Sequence, residues 1–146
     1  MVELLESEIK EGHELPPKIC IHSFAGSVET LKRIVRLVEG PPKTKRKNVV
    51  RVYVGMNCWT NLWKKQARSF VNSVVKTIPN GISRFLLESD WHPLDFDFDG
   101  SNRLDVDKIL LNGLITISSM LDLSPEVMAA HFESNTREFL GGAVVL

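Results

Sequence analysis

Two side chains have the chemistry and placement to hold a ligand, His22 and Asp90, with a further carboxylate, Glu88, two residues before the second. His22 follows the short apolar run Ile19-Cys20-Ile21, and Glu88, Ser89 and Asp90 close a second run with the composition of a buried strand, Arg84-Phe85-Leu86-Leu87. A neutral imidazole and a carboxylate suit a borderline divalent ion such as zinc or manganese. If both runs are strands of one parallel sheet, His22 and Asp90 sit on the same rim, where ligands bind in barrels and open α/β sheets. Spacing alone nominates two donors, whereas a catalytic divalent site uses about three from the protein. A lone histidine at a strand end is more often a hydrogen-bonded structural residue.

Other constellations are weaker. Asp95-Phe96-Asp97-Phe98-Asp99-Gly100 places acids at the first, third and fifth positions of a calcium-type loop and glycine at the sixth, but the twelfth position is Val106 instead of a bidentate Glu. The expectation there is that Phe96 and Phe98 pack while the acids face water. His13 and His131 read as surface or packing residues. No GxSxG, P-loop, HExxH or dinucleotide-binding glycine pattern occurs, so serine or cysteine nucleophilic catalysis has no local support. Lys43-Thr44-Lys45-Arg46-Lys47 is the one dense basic run. It has the composition of an import or phosphate-contacting patch, but the favoured expectation is a solvated loop between helix and strand.

The elements that must position these residues follow from periodicity and punctuation. Val2 to Gly12 reads as a short helix. Pro16-Pro17 precedes a strand at Ile19–Ile21, and Ser27 caps a helix whose stripe is Leu31, Ile34, Val35 and Val38, ended by Gly40. A second strand spans Val49 to Val54 and stops at Gly55. The longest amphipathic helix spans Leu62 to Ile78, with Leu62, Trp63, Ala67, Phe70, Val71, Val74 and Val75 recurring three and four apart. Pro79-Asn80-Gly81 turns the chain into the third strand, within Ile82–Asp90. A loop over 91–102, a helix over Val106–Leu121 and a helix started by Ser124-Pro125 complete the chain. Strand starts near Ile19, Val49 and Arg84 are about one βαβ unit apart, roughly 30 residues. The fold class is therefore α/β with three parallel strands, as one domain over residues 1–146.

Composition narrows the classes. Hydrophobic residues are 43% and charged residues 25%, which is globular usage. With 18 basic and 18 acidic residues the formal net charge is zero, so any polyanion contact must be local. No apolar run approaches the roughly 18 to 20 residues that span a bilayer. The acidic start MVELLESEIK does not resemble a secretory signal. Cys20 and Cys58 have no CxxC partner and suit buried thiols in a reducing compartment, either cytoplasm or nucleus.

IHSFAGS, VYVGMN, FLLESD and the final Asn135 and Phe139, taken in register over most of residues 19–140, resemble the C-terminal half of TatD-family metal-dependent hydrolases. The resemblance implies the last three strands of a (β/α)₈ TIM-type barrel, a divalent ion (Mg, Mn or Zn) at the rim, and phosphodiester hydrolysis of the deoxyribonuclease type. It assigns His22 and Asp90 as metal ligands, Asp90 also as the catalytic proton acceptor, and Glu88 as an orienting residue. Asn135 and Phe139 match the last helix's structural signature. The family's His-x-His, bridging Glu and further His have no counterpart here, while Ser23 and Ser89 replace the usual Cys and Thr. Two expectations arise: a truncated hydrolase with an incomplete site, acting on DNA or another phosphodiester only when complemented, or a non-catalytic half-barrel that binds a protein partner. A half-barrel also exposes strand edges near Ile19 and Leu86, which favours self-association.

Overall fold

The computed structural model describes residues 2–40, 50–57, 61–90 and 103–141. The basic run Lys43–Lys47, Cys58, and the loop containing Asp95–Gly100 lie outside the described residues.

Helix α1 (Val2–Lys10) leads into strand β1 (Lys18–Ile21), helix α2 (Val28–Glu39), strand β2 (Arg51–Met56), helix α3 (Ala67–Thr77), a single 3₁₀ turn (Gly81–Arg84), strand β3 (Phe85–Leu87), helix α4 (Arg103–Leu121) and helix α5 (Pro125–Leu140). The strands form one parallel sheet in the order β1-β2-β3, with Ile21 opposite Val54 and Val54 opposite Phe85. The α/β class and the parallel three-strand sheet are as the sequence predicts, and no barrel closure is seen among the described residues.

Alternation along the strands divides the sheet into two unlike faces. Ile21, Val52, Val54, Met56 and Phe85 point to one side and join Leu31, Ile34, Val35 and Val38 of α2 and Val71 and Val74 of α3 in a single core. The α2 stripe is fully as expected, and Ser27 caps the helix by accepting a hydrogen bond from Thr30 N at 3.1 Å. The opposite face carries Lys18, Cys20, Arg51, Tyr53, Gly55, Leu86 and Glu88. Part of it is covered by the end of α5, where the Phe139 ring meets the Tyr53 ring edge-on at 5.2 Å. Arg51 stacks over the same tyrosine and pairs with Glu138.

At the end of the sheet opposite the strand C-termini, Arg84 is buried. Its guanidinium donates to both carboxylate oxygens of Glu39 and to the carbonyls of Val52 and Pro79. Glu39 in turn accepts from Val52 N at 2.9 Å. Arg84 therefore belongs to an ion pair between the end of α2 and the 3₁₀ turn before β3, not to an apolar strand interior.

Several element boundaries differ from the sequence expectation. Strand β2 runs through Gly55, which pairs with Leu86, instead of stopping there. The helix expected from Leu62 begins only at Ala67, and Trp63 is 78% exposed. Asn61 is bound to the strand end instead: its carboxamide accepts from Asn57 N and donates to the Gly55 carbonyl, and Leu62 N donates to Asn57 O. Among the described residues the longest helix is α4 with 19 residues. Ser124 caps α5 ahead of Pro125, and Gly141 at φ 86° ends it.

Candidate metal centre

β1 and β3 are the outer strands, two spacings of about 4.8 Å apart, yet their C-terminal residues meet above β2. Glu88 N continues the ladder by donating to Met56 O at 2.9 Å, so the Glu88 side chain leaves on the Gly55 face of the sheet. Gly55 is what lets it cross. A Cβ built there would lie 1.9 Å from Glu88 Oε1, so the carboxylate occupies the space that any larger residue would need.

Having crossed, Glu88 Oε2 accepts from Ser23 N at 3.1 Å and contacts His22 Nδ1 at 2.8 Å, while Oε1 faces the Cys20 thiol at 3.7 Å. On the other side of the imidazole, His22 Nε2 lies 2.9 Å from Asp90 Oδ1. One donor atom from each of His22, Glu88 and Asp90 falls within 4.8 Å of the other two. The His22 ring is 68% exposed, against 17% and 18% for the two acids, so the cluster opens outward through the imidazole.

The backbone makes this convergence possible. Ser23 at φ 47° and Asp90 at φ 55° both adopt the left-handed conformation, turning the chain sharply just past each strand. Such residues persist where surrounding contacts over-determine them. Here the Ser23 hydroxyl donates to Asp90 Oδ2, and the Asn57 carboxamide donates to the same oxygen and to Ser23 Oγ, the latter at 2.7 Å. Asn57 is fully buried at the end of the central strand.

The donor set suits a divalent ion. Glu88 holds Nδ1, and a carboxylate on one ring nitrogen fixes the tautomer that leaves the other nitrogen's lone pair for a metal. Nε2 and Oδ1 are spaced as two donors each about 2.1 Å from one ion would be. Without an ion, the same geometry suits a charged imidazole donating to both carboxylates, since both ring nitrogens donate only in that form.

The half-buried Cys20 thiol is pushed up from 9.0 to about 11, chiefly by burial and then by the adjacent Glu88 charge. It is the neutral donor of the cluster.

His22 and Asp90, the two residues singled out from sequence, are brought together. Glu88 touches the imidazole directly. His13, by contrast, is an exposed partner of Glu8 at 2.8 Å, and His131 lies within α5 and is not part of the cluster. Asn135 is buried and donates to the carbonyls of Ile82 and Phe85 at 3.0 and 2.8 Å. Cys20 and Asn61 form no motif whose spacing would single them out, and Ser23, Gly55 and Asn57 fall in IHSFAGS and VYVGMN without being assigned a functional role there. For Asn57 the available signal is its place just past a strand, because it stands where His22 and Glu88 stand on the neighbouring strands.

No protein-family model matches the chain, and no curated protein or solved structure matches it either.

Proposed function

We propose that the chain presents a divalent-ion site on the rim of a barrel-type sheet segment, in the manner of TatD-like hydrolases that cleave phosphodiesters. The observation that carries this is the convergence of His22, Glu88 and Asp90 from the ends of two strands that do not pair with each other. Strand order supports the barrel-type reading. Successive parallel strands are neighbours, and the stripes of α2 and α3, the two crossovers between them, enter one core on one face of the sheet.

A divalent ion held there would polarise a phosphoryl oxygen and acidify water. His22 Nε2 and Asp90 Oδ1 would hold it, Glu88 would keep the imidazole in register, and Asp90 would accept a proton, the role the resemblance gives it. His22 and Asp90 leave an outward side for donors from a substrate or a second polypeptide. The expected behaviour of this chain is therefore ion binding without efficient turnover of DNA.

Calorimetric titration with Mn²⁺ tests the site. The wild-type chain is expected to bind one ion, and H22A and D90A to weaken binding at least about tenfold. Equal binding by D90A removes the site, and Asp90-dependent cleavage of plasmid DNA by the isolated chain shows it to be complete.

A further inference from the structure

Asp90 offers two oxygens to the rim, and the protein treats them differently. Oδ2 accepts from the Ser23 hydroxyl and from Asn57 Nδ2, while Oδ1 is turned to His22 Nε2 at 2.9 Å. A carboxylate oxygen already accepting two protein hydrogen bonds is a poor second donor to an ion. Asn57 cannot easily yield. It is fully buried, its side chain also donates to Ser23 Oγ, and its backbone N–H is fixed by Asn61 Oδ1 at 2.9 Å. Asn61 is in turn anchored on the carbonyls of Gly55 and Phe24. A chain of carboxamides thus runs from the central strand to the Asp90 carboxylate.

Resting on the ion-site reading above, we infer that Asn57, with Ser23, is a positioning residue that makes Asp90 a one-oxygen ligand and thereby sets which cation the rim accepts. Calcium takes six to eight oxygens and commonly uses carboxylates through both of theirs. Manganese and zinc accept one imidazole nitrogen and one carboxylate oxygen, with water or substrate filling the remaining positions. A carboxylate tied at Oδ2 therefore discriminates against calcium. Releasing Oδ2 removes both the fixed orientation and the discrimination.

The experiment is calorimetric titration of the full chain with Mn²⁺ and separately with Ca²⁺, for wild type, N57A, S23A and N135A, each checked for folding by circular dichroism. Wild type is expected to bind Mn²⁺ at least about tenfold more tightly than Ca²⁺. N57A is expected to lose about 10- to 100-fold in Mn²⁺ affinity and to lose less for Ca²⁺, so that the ratio narrows. N135A removes a comparably buried asparagine remote from the rim and is expected to leave the ratio unchanged. If N57A does not fold, S23A decides, since it removes the other donor to Oδ2 and is expected to narrow the ratio in the same direction. Unchanged affinity and ratio in folded N57A overturn the positioning role while leaving the ion site standing. A matching shift in N135A reduces Asn57 to a structural residue, and absence of Mn²⁺ binding by wild type removes the ion site and this inference together.

Discussion

The carboxylate of Glu88 lies where a side chain on Gly55 would begin, 1.9 Å from the position of a Cβ built on that glycine. Strand β2 is therefore held to glycine at this level by the residue that crosses it. In G55A the Glu88 carboxylate has to leave, and with it go its contacts to His22 Nδ1 and Ser23 N. The effect on folding should be slight, because alanine in a strand recovers about 0.5 to 1 kcal/mol of the conformational entropy that glycine loses. Mn²⁺ affinity should drop by about 10- to 100-fold. Calorimetry and thermal melts on the same samples separate the two, and an unaltered affinity would mean that Glu88 plays no part in orienting the imidazole.

At the far end of the sheet, Arg84 offers the converse case. Removing one member of a buried ion pair leaves the other uncompensated and costs about 3 to 5 kcal/mol. R84A should approach that loss in urea unfolding, since Glu39 and the carbonyls of Val52 and Pro79 all lose a donor. Ion affinity, measured below the unfolding transition, should not change.

Cys20 reports the electrostatics of the cluster. Its folded-state value, about 11, lies above the ordinary 9.0, so the folded chain holds this proton more tightly than the unfolded chain does. The stabilisation it provides is complete below pH 9 and is lost as pH rises towards 11. In a C58S background, the thiol should react slowly with a disulfide reagent at about pH 8, below the ordinary thiol range, and faster as pH climbs through that window. E88Q removes the nearby charge and should increase the rate at fixed pH. A fast reaction at the lower pH in the wild-type arrangement would contradict the buried, acid-facing placement.

Asn135 closes one side of the sheet. By donating to the Ile82 and Phe85 carbonyls it satisfies backbone acceptors on β3 and the turn before it, while β1 pairs among the described strands only with β2. N135A should lose about 1 to 3 kcal/mol, the cost of stranding buried polar groups. It should also raise the concentration-dependent association that exposed strand edges promote. Light scattering after size exclusion, across a range of loading concentrations, measures the second effect; identical monomer profiles for both proteins would show that the edge is not sticky.

How far the sequence reveals this arrangement depends on the residue. His22 and Asp90 are legible because each follows an apolar run, and strand ends in a parallel sheet share a rim. The α2 stripe is legible because four apolar residues recur at helical spacing on an otherwise charged helix. Trp63 misleads for the same reason. Its spacing fits a helix, but Asn61 has committed its side chain to the strand before it, and that competition is tertiary. Gly55 reads as a stop because glycine usually punctuates strands, whereas here it admits a side chain from the neighbouring strand. Asn57 carries no charge and closes VYVGMN without an assigned role, so its part becomes visible only once three strand ends are placed side by side.

The ligand-bearing residues ride on the first and third strands, and the central strand contributes only clearance and a carboxamide. Separation between the imidazole and the Asp90 carboxylate is thus governed by how the two outer strands are sheared and twisted past each other. The site behaves as a caliper laid across the sheet: a ligand that draws its jaws together stiffens all three strands at once, and any force that slides one outer strand opens it.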